Sequence, residues 1–377
     1  MPWKEVTVMS QRQEFVSLAR EASLPLSELA RRFGISRKTA YKWLQRDQAG
    51  RSLADQSRRP TQSPTRTTPE LEAAVVAWRQ RHPCWGGRKL AQVLRNEGYD
   101  RVPAPSTITH ILRRHGLLGQ AGHSSTPRWT RFEHPAANDL WQMDFKGTFH
   151  VGARRCDPLT VLDDHSRYNI VLQATPDMKT ATVQAVLTEA FRRYGMPRRM
   201  NMDNGSPWGS PSGDSRGLSA LTVWLVRLGV HLSFSAPGHP QTNGKDERFH
   251  RSFHAEVIAR WHFDTMAYAQ QTFDQWRTVY NHVRPHQALD LAVPASRYQP
   301  SPRRFPETLP PIEYGPDDQV ARVMTNGIVH LLGHTLKVSN ALHGYAIAAR
   351  PRNDHDGVYD LFFAHHRLAM IDLRQTD

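Results

Sequence analysis

Cysteine is nearly absent. Only Cys84 and Cys156 occur in 377 residues. Neither has a Cys-x-x-Cys partner, which excludes a disulfide framework and a cysteine-built zinc site. No run approaches 18 consecutive apolar residues, so nothing reads as a membrane-spanning helix. The opening residues lack the apolar core of a signal peptide. These absences lead us to expect a reduced, cytoplasmic protein with no membrane partner. Acidic residues are also short: 35 Asp+Glu face 49 Lys+Arg, a formal net charge of +14. The deficit is local. Residues 1–135 hold 23 basic and 11 acidic side chains, and the rest hold 26 and 24. A basic arm ahead of a near-neutral body points to nucleic acid.

The arm itself reads as helices. In residues 25–44, Ser27 is placed to cap a short helix with Leu29, Ala30 and Phe33 inward. Gly34 permits a tight turn, and Ser36 caps a second helix that turns Ala40, Trp43 and Leu44 inward. Ser36, Arg37, Lys38, Thr39, Tyr41 and Lys42 are left near the exposed start of that helix. This is the helix-turn-helix pattern, with base-contacting residues at the recognition-helix N-terminus. Residues 51–67 form a basic linker in which Arg58 and Arg59 are placed to track phosphates. A second helical unit, 68–118, ends in a helix presenting Ser106, Thr107, Thr109, Arg113 and Arg114. It reads as another, winged, helix-turn-helix domain. Residues 119–135 form a further linker.

From residue 136 the pattern becomes α/β. Strands are expected at 140–149, 159–162, 168–172, 199–202 and 230–234, and helices at 180–194, 218–228, 243–261 and 265–281. We assign 136–299 to this core. A Pro-rich linker (300–316) follows, then a small all-β barrel (317–377) with turn signals at Asn326-Gly327 and Asp356-Gly357.

Three acids stand out by context. Asp144 interrupts an apolar strand, which is costly unless the carboxylate is paired or binds metal. Asp203 ends a short strand in Asp-Asn-Gly. Glu247 opens a long helix in His239-Pro-Gln-Thr-Asn-Gly-Lys-Asp-Glu-Arg248. Oxygen ligands of this kind suit Mg²⁺ or Mn²⁺. A pair of such ions can activate an attacking oxygen and stabilise a leaving one in phosphoryl transfer. Asp246, next to Glu247, points about 100° away on a helix. Asp163 and Asp164 read as turn-holding acids, with Arg167 as a partner.

These motifs resemble the DDE transposase and retroviral-type integrase superfamily, and most closely the transposases of insertion-sequence family 481. The resemblance rests on Gln142-Met-Asp144, Leu162-Asp-Asp-His-Ser-Arg167, Asp203-Asn-Gly205, the His239–Arg248 run and Tyr280-Asn-His-Val-Arg-Pro-His286. It implies an RNase H-like core, an SH3-like C-terminal barrel and a catalytic, metal-holding triad of Asp144, Asp203 and Glu247 with two ions. It also implies phosphate contacts from Asn243, Lys245, Arg248 and Arg251. The implied partners are double-stranded DNA, both transposon ends and target, and further copies of the chain, as a dimer or larger. The implied setting is the bacterial nucleoid. Between Asp203 and Glu247 lie 43 residues, more than is usual in the resembled family. The surplus maps to the Gly/Ser-rich stretch 209–217. Two other readings stay open: a DNA-binding regulator on an inactive scaffold, and an RNase H-like nuclease that cuts without joining.

Overall fold

A computed structural model describes residues 7–56, 66–118, 133–209, 218–234, 244–352 and 354–374. Residues 1–66 and 67–377 form two compact units.

The first unit is three helices: α1 (Val8–Arg20), α2 (Leu26–Arg32) and α3 (Arg37–Gln48). Phe15, Val16, Leu29, Ala30, Ala40, Trp43 and Leu53 bury its small core. Ser36 Oγ accepts the Thr39 N–H, capping α3. Gly34 adopts φ +62°, which supplies the left-handed turn between α2 and α3. Ser27 is not a cap. The chain enters α2 two residues earlier, with Pro25 at φ −58° in the cap position, so Ser27 falls inside the first turn.

The second unit begins with α4 (Pro69–Arg81), α5 (Gly87–Asn96) and α6 (Pro105–Arg114). Trp78, Trp85, Leu90, Leu94, Ile108 and Leu112 are buried between them. Gly87 is required where α5 meets α6, because an added Cβ would stand 2.3 Å from the Pro105 carbonyl oxygen. Residues 68–118 carry these three helices and no strand, so the expected wing is not found there, and the linker expected over 119–135 lies outside the described residues up to 132.

The sheet of the core is mixed. It comprises β1 (Leu140–Phe145), β2 (Phe149–Val151), β3 (Arg154–Asp163), β4 (Asn169–Thr175), β5 (Arg199–Met202) and β6 (His231–Phe234). β3 pairs antiparallel with β1, β2 and β4. β5 pairs parallel with β1 and β6. The expected single strand over 140–149 is two strands, broken around Gly147 at φ +96°. One face packs on α7 (Thr180–Tyr194) and α8 (Ala220–Arg227), with Trp141, Val161 and Met200 against Leu187, Phe191 and Leu225. The other packs on α9 (Gly244–Phe253) and α10 (Met266–His282), with Leu162 and Leu172 against Phe249, Phe253 and Trp276. Thus the sheet is sandwiched between helices. The expected long helix over 243–261 ends its α-helical part at Phe253 and continues as a π-turn, His254–Ile258.

Residues 300–316 are no free tether. Arg303 donates to the carbonyls of Pro197, Leu228 and Gly229. Phe305 packs among Phe191 and Trp224, and Glu307 pairs with Arg192 at 2.7 Å. Beyond this strap come β7 (Gln319–Arg322), β8 (Ile328–Leu331), β9 (His334–Lys337), β10 (Ala346–Pro351), β11 (Val358–Phe363) and β12 (His366–Asp372). They form an antiparallel sheet, β12-β11-β10-β7, and a β8-β9 hairpin. The all-β reading therefore holds, while no strand pairing among the described residues closes these strands into a barrel. Their apolar side packs with Leu218, Val223 and Val226 at α8.

Candidate active site

β1 and β5 run parallel, with Trp141 opposite Met200 and Gln142 opposite Asn201. Their C-terminal ends therefore lie side by side. Asp144 is near the end of β1, and Asp203 directly follows β5. Glu247 stands in the first turn of α9, whose Phe249 and Phe253 anchor that helix on the sheet. Asp144 is 29% exposed, whereas Asp203 and Glu247 are open to solvent. The Asp144 Oδ1 accepts the Phe145 N–H at 2.8 Å. Burial lifts the Asp144 carboxyl to about pKa 6, against that hydrogen bond, and the charges of Asp203 and Glu247 push the same way. The three carboxylates thus share one electrostatic neighbourhood.

That shift has a measurable sign. The folded pKa of Asp144 is raised, so its ionisation destabilises the fold. The penalty is absent below about pH 4 and complete above about pH 6, and two units correspond to about 3 kcal/mol. In metal-free protein, Asp144→Asn is therefore expected to be more stable than the parent at pH 8 and equal to it at pH 4. Urea denaturation at the two pH values checks this. An unchanged difference across the range would contradict the raised pKa.

Neighbours brace the site. Thr160 Oγ1 lies 2.9 Å from the Asp144 carbonyl oxygen and 2.8 Å from His250 Nε2. A carbonyl only accepts, so the single Thr160 proton goes to it, and His250 Nε2–H donates to Thr160. His250 Nδ1 is then a lone pair 3.8 Å from Asp144 Oδ2. Burial holds His250 neutral, with its pKa down at about 3. On the other side, Asp203 Oδ1 accepts the Gly205 N–H at 2.9 Å. Buried Trp208 stacks on Phe145 at 5.4 Å and closes the turn that follows Asp203. Thr160, His250 and Trp208 carry no motif of their own, and sequence reasoning missed them.

The donor set is all carboxylate oxygen, of the type that suits a hard divalent cation. Among the described residues, no three His, Cys, Asp or Glu side chains are drawn into one ligand shell. Asp246 is placed differently from its neighbour. It is 1% exposed, its Oδ1 has no hydrogen-bond partner among the described residues, and burial followed by the charges of Asp144 and Asp164 raises its pKa well above the carboxylate range. Asp246→Val removes an unsatisfied buried polar group, so it is expected to stabilise the fold by about 1–3 kcal/mol. A lower thermal midpoint would contradict that reading.

Lys245, expected on phosphate, has its ammonium on Asp164, which also accepts from Gln142 Nε2 and the His134 N–H. The pair ties the start of α9 to the turn after β3. Asp163 holds that turn as expected, accepting from the N–H and hydroxyl of Ser166, while Arg167 donates to the Asp164 carbonyl. Arg248 and Arg251 are exposed on the helix that carries Glu247. Asn243 lies outside the described residues, as do Arg58 and Arg59.

In the first unit Ser36, Arg37, Lys38, Tyr41 and Lys42 are exposed and Thr39 is half-buried. On α6, Ser106, Thr107 and Arg113 are exposed. Thr109 instead donates to the Pro105 carbonyl, and Arg114 pairs with Glu72 at 2.7 Å. Both are engaged within the domain.

Comparison with known proteins follows the same order along the chain. A helix-turn-helix domain family matches residues 11–61, and a homeodomain-like domain family matches 39–112. Two integrase core domain families match 134–240 and 228–294. The C-terminal domain of IS481 family transposases matches 318–377. The chain is 29% identical over 235 residues to the insertion element IS476 uncharacterized 39.2 kDa protein of Xanthomonas euvesicatoria, covering 62% of this chain and 65% of that one. It is 31% identical over 234 residues to the insertion element IS407 uncharacterized 31.7 kDa protein of Burkholderia multivorans, covering 60% and 79%. Among solved structures, a chain of the simian T-cell lymphotropic virus intasome in complex with PP2A regulatory subunit B56 gamma is similar at TM-score 0.40 and 12% identity, over 80% of this chain and 96% of that one. The catalytic core domain of BIV integrase is similar at TM-score 0.31 and 19% identity, over 42% and 92%. On the insertion-element relative at 31% identity and the ordered domain matches, the chain belongs to the DDE transposase/integrase superfamily, of IS481 type.

Proposed function

We propose that this protein is a DNA transposase that binds the terminal inverted repeats of an insertion sequence, cuts the phosphodiester at the element's end and joins the freed 3′-hydroxyl to target DNA. One observation carries the reading. Asp144 at one parallel strand end feels the charges of Asp203, after a neighbouring strand, and of Glu247, at a helix start, although the three are distant in sequence. They are the residues we assign to hold Mg²⁺ or Mn²⁺, as two ions. A divalent cation bound there supplies Lewis-acid charge to the scissile phosphate.

The chain's own groups bind and orient. Exposed Arg248 and Arg251 share a helix with Glu247, so they are placed to hold phosphates beside the cut. Thr160 and His250 fix the backbone of Asp144. Trp208 packs behind the Asp203 turn. Ser36, Arg37, Lys38, Thr39, Tyr41 and Lys42 on α3 read the end sequence, and Ser106, Thr107 and Arg113 on α6 contact a second stretch of the duplex. Displacement at a bare phosphate needs no protein nucleophile, which agrees with a site built of carboxylates. Joining two ends at once calls for at least two copies of the chain.

The test is an assay on duplex DNA from the ends of the flanking repeats with Mg²⁺. Joined product is expected. Binding without cleavage supports the regulator, and release of fragments without joining supports the nuclease; either outcome overturns the proposal.

A further inference from the structure

The parallel strands β1, β5 and β6 point one way, and the candidate carboxylates lie at their C-terminal edge. The opposite edge holds a cavity of about 630 Å³, lined chiefly by His134, Asp139, Arg198, Arg199, His231 and Arg303. Arg199 and His231 are register partners that begin β5 and β6. Arg199 and Asp203 are four positions apart, about 13 Å along a strand. The cavity is thus a separate place from the candidate active site.

Its charges do not balance. Arg303 donates to three backbone carbonyls, a geometry that fixes the guanidinium without giving it an acidic partner among the described residues. Arg199 has no ion pair among the described residues. Arg198 has one, to Asp139 at 3.7 Å, and Asp139 is the only acid in the lining. His231 stacks edge-on with His365 at 4.4 Å. Burial, then Arg199 and Arg303, lower the pKa of His231. For His365 it is burial, then His231, His366 and Arg303, that bring it down to about 4. Three arginines with one carboxylate in a concave wall concentrate positive potential, which an anion relieves. Guanidinium forks match phosphate oxygens.

We propose that this cavity is a phosphate site that grips a DNA backbone at the sheet edge opposite the carboxylates. The assignment of DNA as the phosphate source rests on the transposase reading, whereas the site itself does not. The site would hold a second stretch of duplex, or the flank of the first, without reading bases.

The test uses the full chain, inorganic pyrophosphate and a short duplex without repeat sequence. Arg199→Gln is the variant, because Arg199 is exposed and makes no ion pair among the described residues that the fold would lose. Calorimetry is expected to show pyrophosphate binding that weakens about tenfold or more in Arg199→Gln. The duplex is expected to displace pyrophosphate, and the log–log salt slope of duplex binding is expected to shallow by about one. Equal pyrophosphate binding by parent and variant overturns the site. Binding that is lost in the variant but not displaced by the duplex overturns DNA as its source. Asp144→Asn is expected to leave pyrophosphate binding unchanged, so failure of the catalytic reading and failure of this one are told apart.

Discussion

Asp144→Asn is expected to reduce DNA cleavage and joining by about a thousandfold or more, with duplex affinity unchanged. The substitution keeps shape and removes one negative charge from a site where Asp203 and Glu247 already press against it. A cation held by fewer carboxylates binds more weakly and neutralises less of the phosphate. Several kcal/mol of transition-state stabilisation depend on such an ion, and about 4 kcal/mol is a thousandfold in rate. In the proposed function duplex binding rests on the helix-turn-helix units and on phosphate contacts, which the substitution does not touch. Asp203→Asn and Glu247→Gln are expected to behave alike. Asp246→Asn is expected to leave turnover close to the parent, since that side chain is buried away from solvent while Glu247 faces it. Turnover and gel-shift measurements on the four variants check the set. Loss of activity in Asp246→Asn with retention in Glu247→Gln would reverse the assignment.

The second large effect lies behind the site. Arg284→Met is expected to cost about 3–5 kcal/mol of stability. Arg284 and Glu256 side chains are 9% and 8% exposed and lie 3.0 Å apart. Arg284 donates twice to Glu256 Oε1 and once to Ser252 Oγ, while Trp276 Nε1 donates to Glu256 Oε2. The guanidinium also lies 5.6 Å from the Tyr280 ring. Removing it strands a buried carboxylate with one neutral donor. The pair ties the π-turn after α9 to the end of α10, so its loss also loosens the helix that carries Glu247. Pairing Arg284→Met with Glu256→Gln removes the stranded charge and is expected to recover part of the loss. Urea denaturation of the single and double variants measures both; a double variant no more stable than the single would contradict the stranded-charge explanation.

Local chemistry was legible in the sequence. Ser36 capping α3, Gly34 at the turn and the apolar face of α3 follow from spacing alone, and the structure has each of them. The acid in an apolar strand was legible for the same reason: Asp144 breaks the pattern that its neighbours keep. Long-range pairing was not legible. Lys245 reads as a free surface cation until Asp164, 81 residues away, takes its charge. Arg114 loses its apparent freedom to Glu72, 42 residues away. The 300–316 strap has linker composition, yet Arg303 finds three carbonyls that no local pattern announces. His250 and Thr160 join the site only because β3 pairs with β1 in the register that sets Thr160 opposite Asp144.

In the proposed function Asp144, Asp203 and Glu247 together drive joining of an element's end to target DNA. Its most direct test presents a pre-cut end and a plasmid target to the parent chain and to Glu247→Gln, after both are shown to bind that end equally. Mg²⁺-dependent joined product is expected from the parent and none from Glu247→Gln. Joined product from both at the same rate would contradict it.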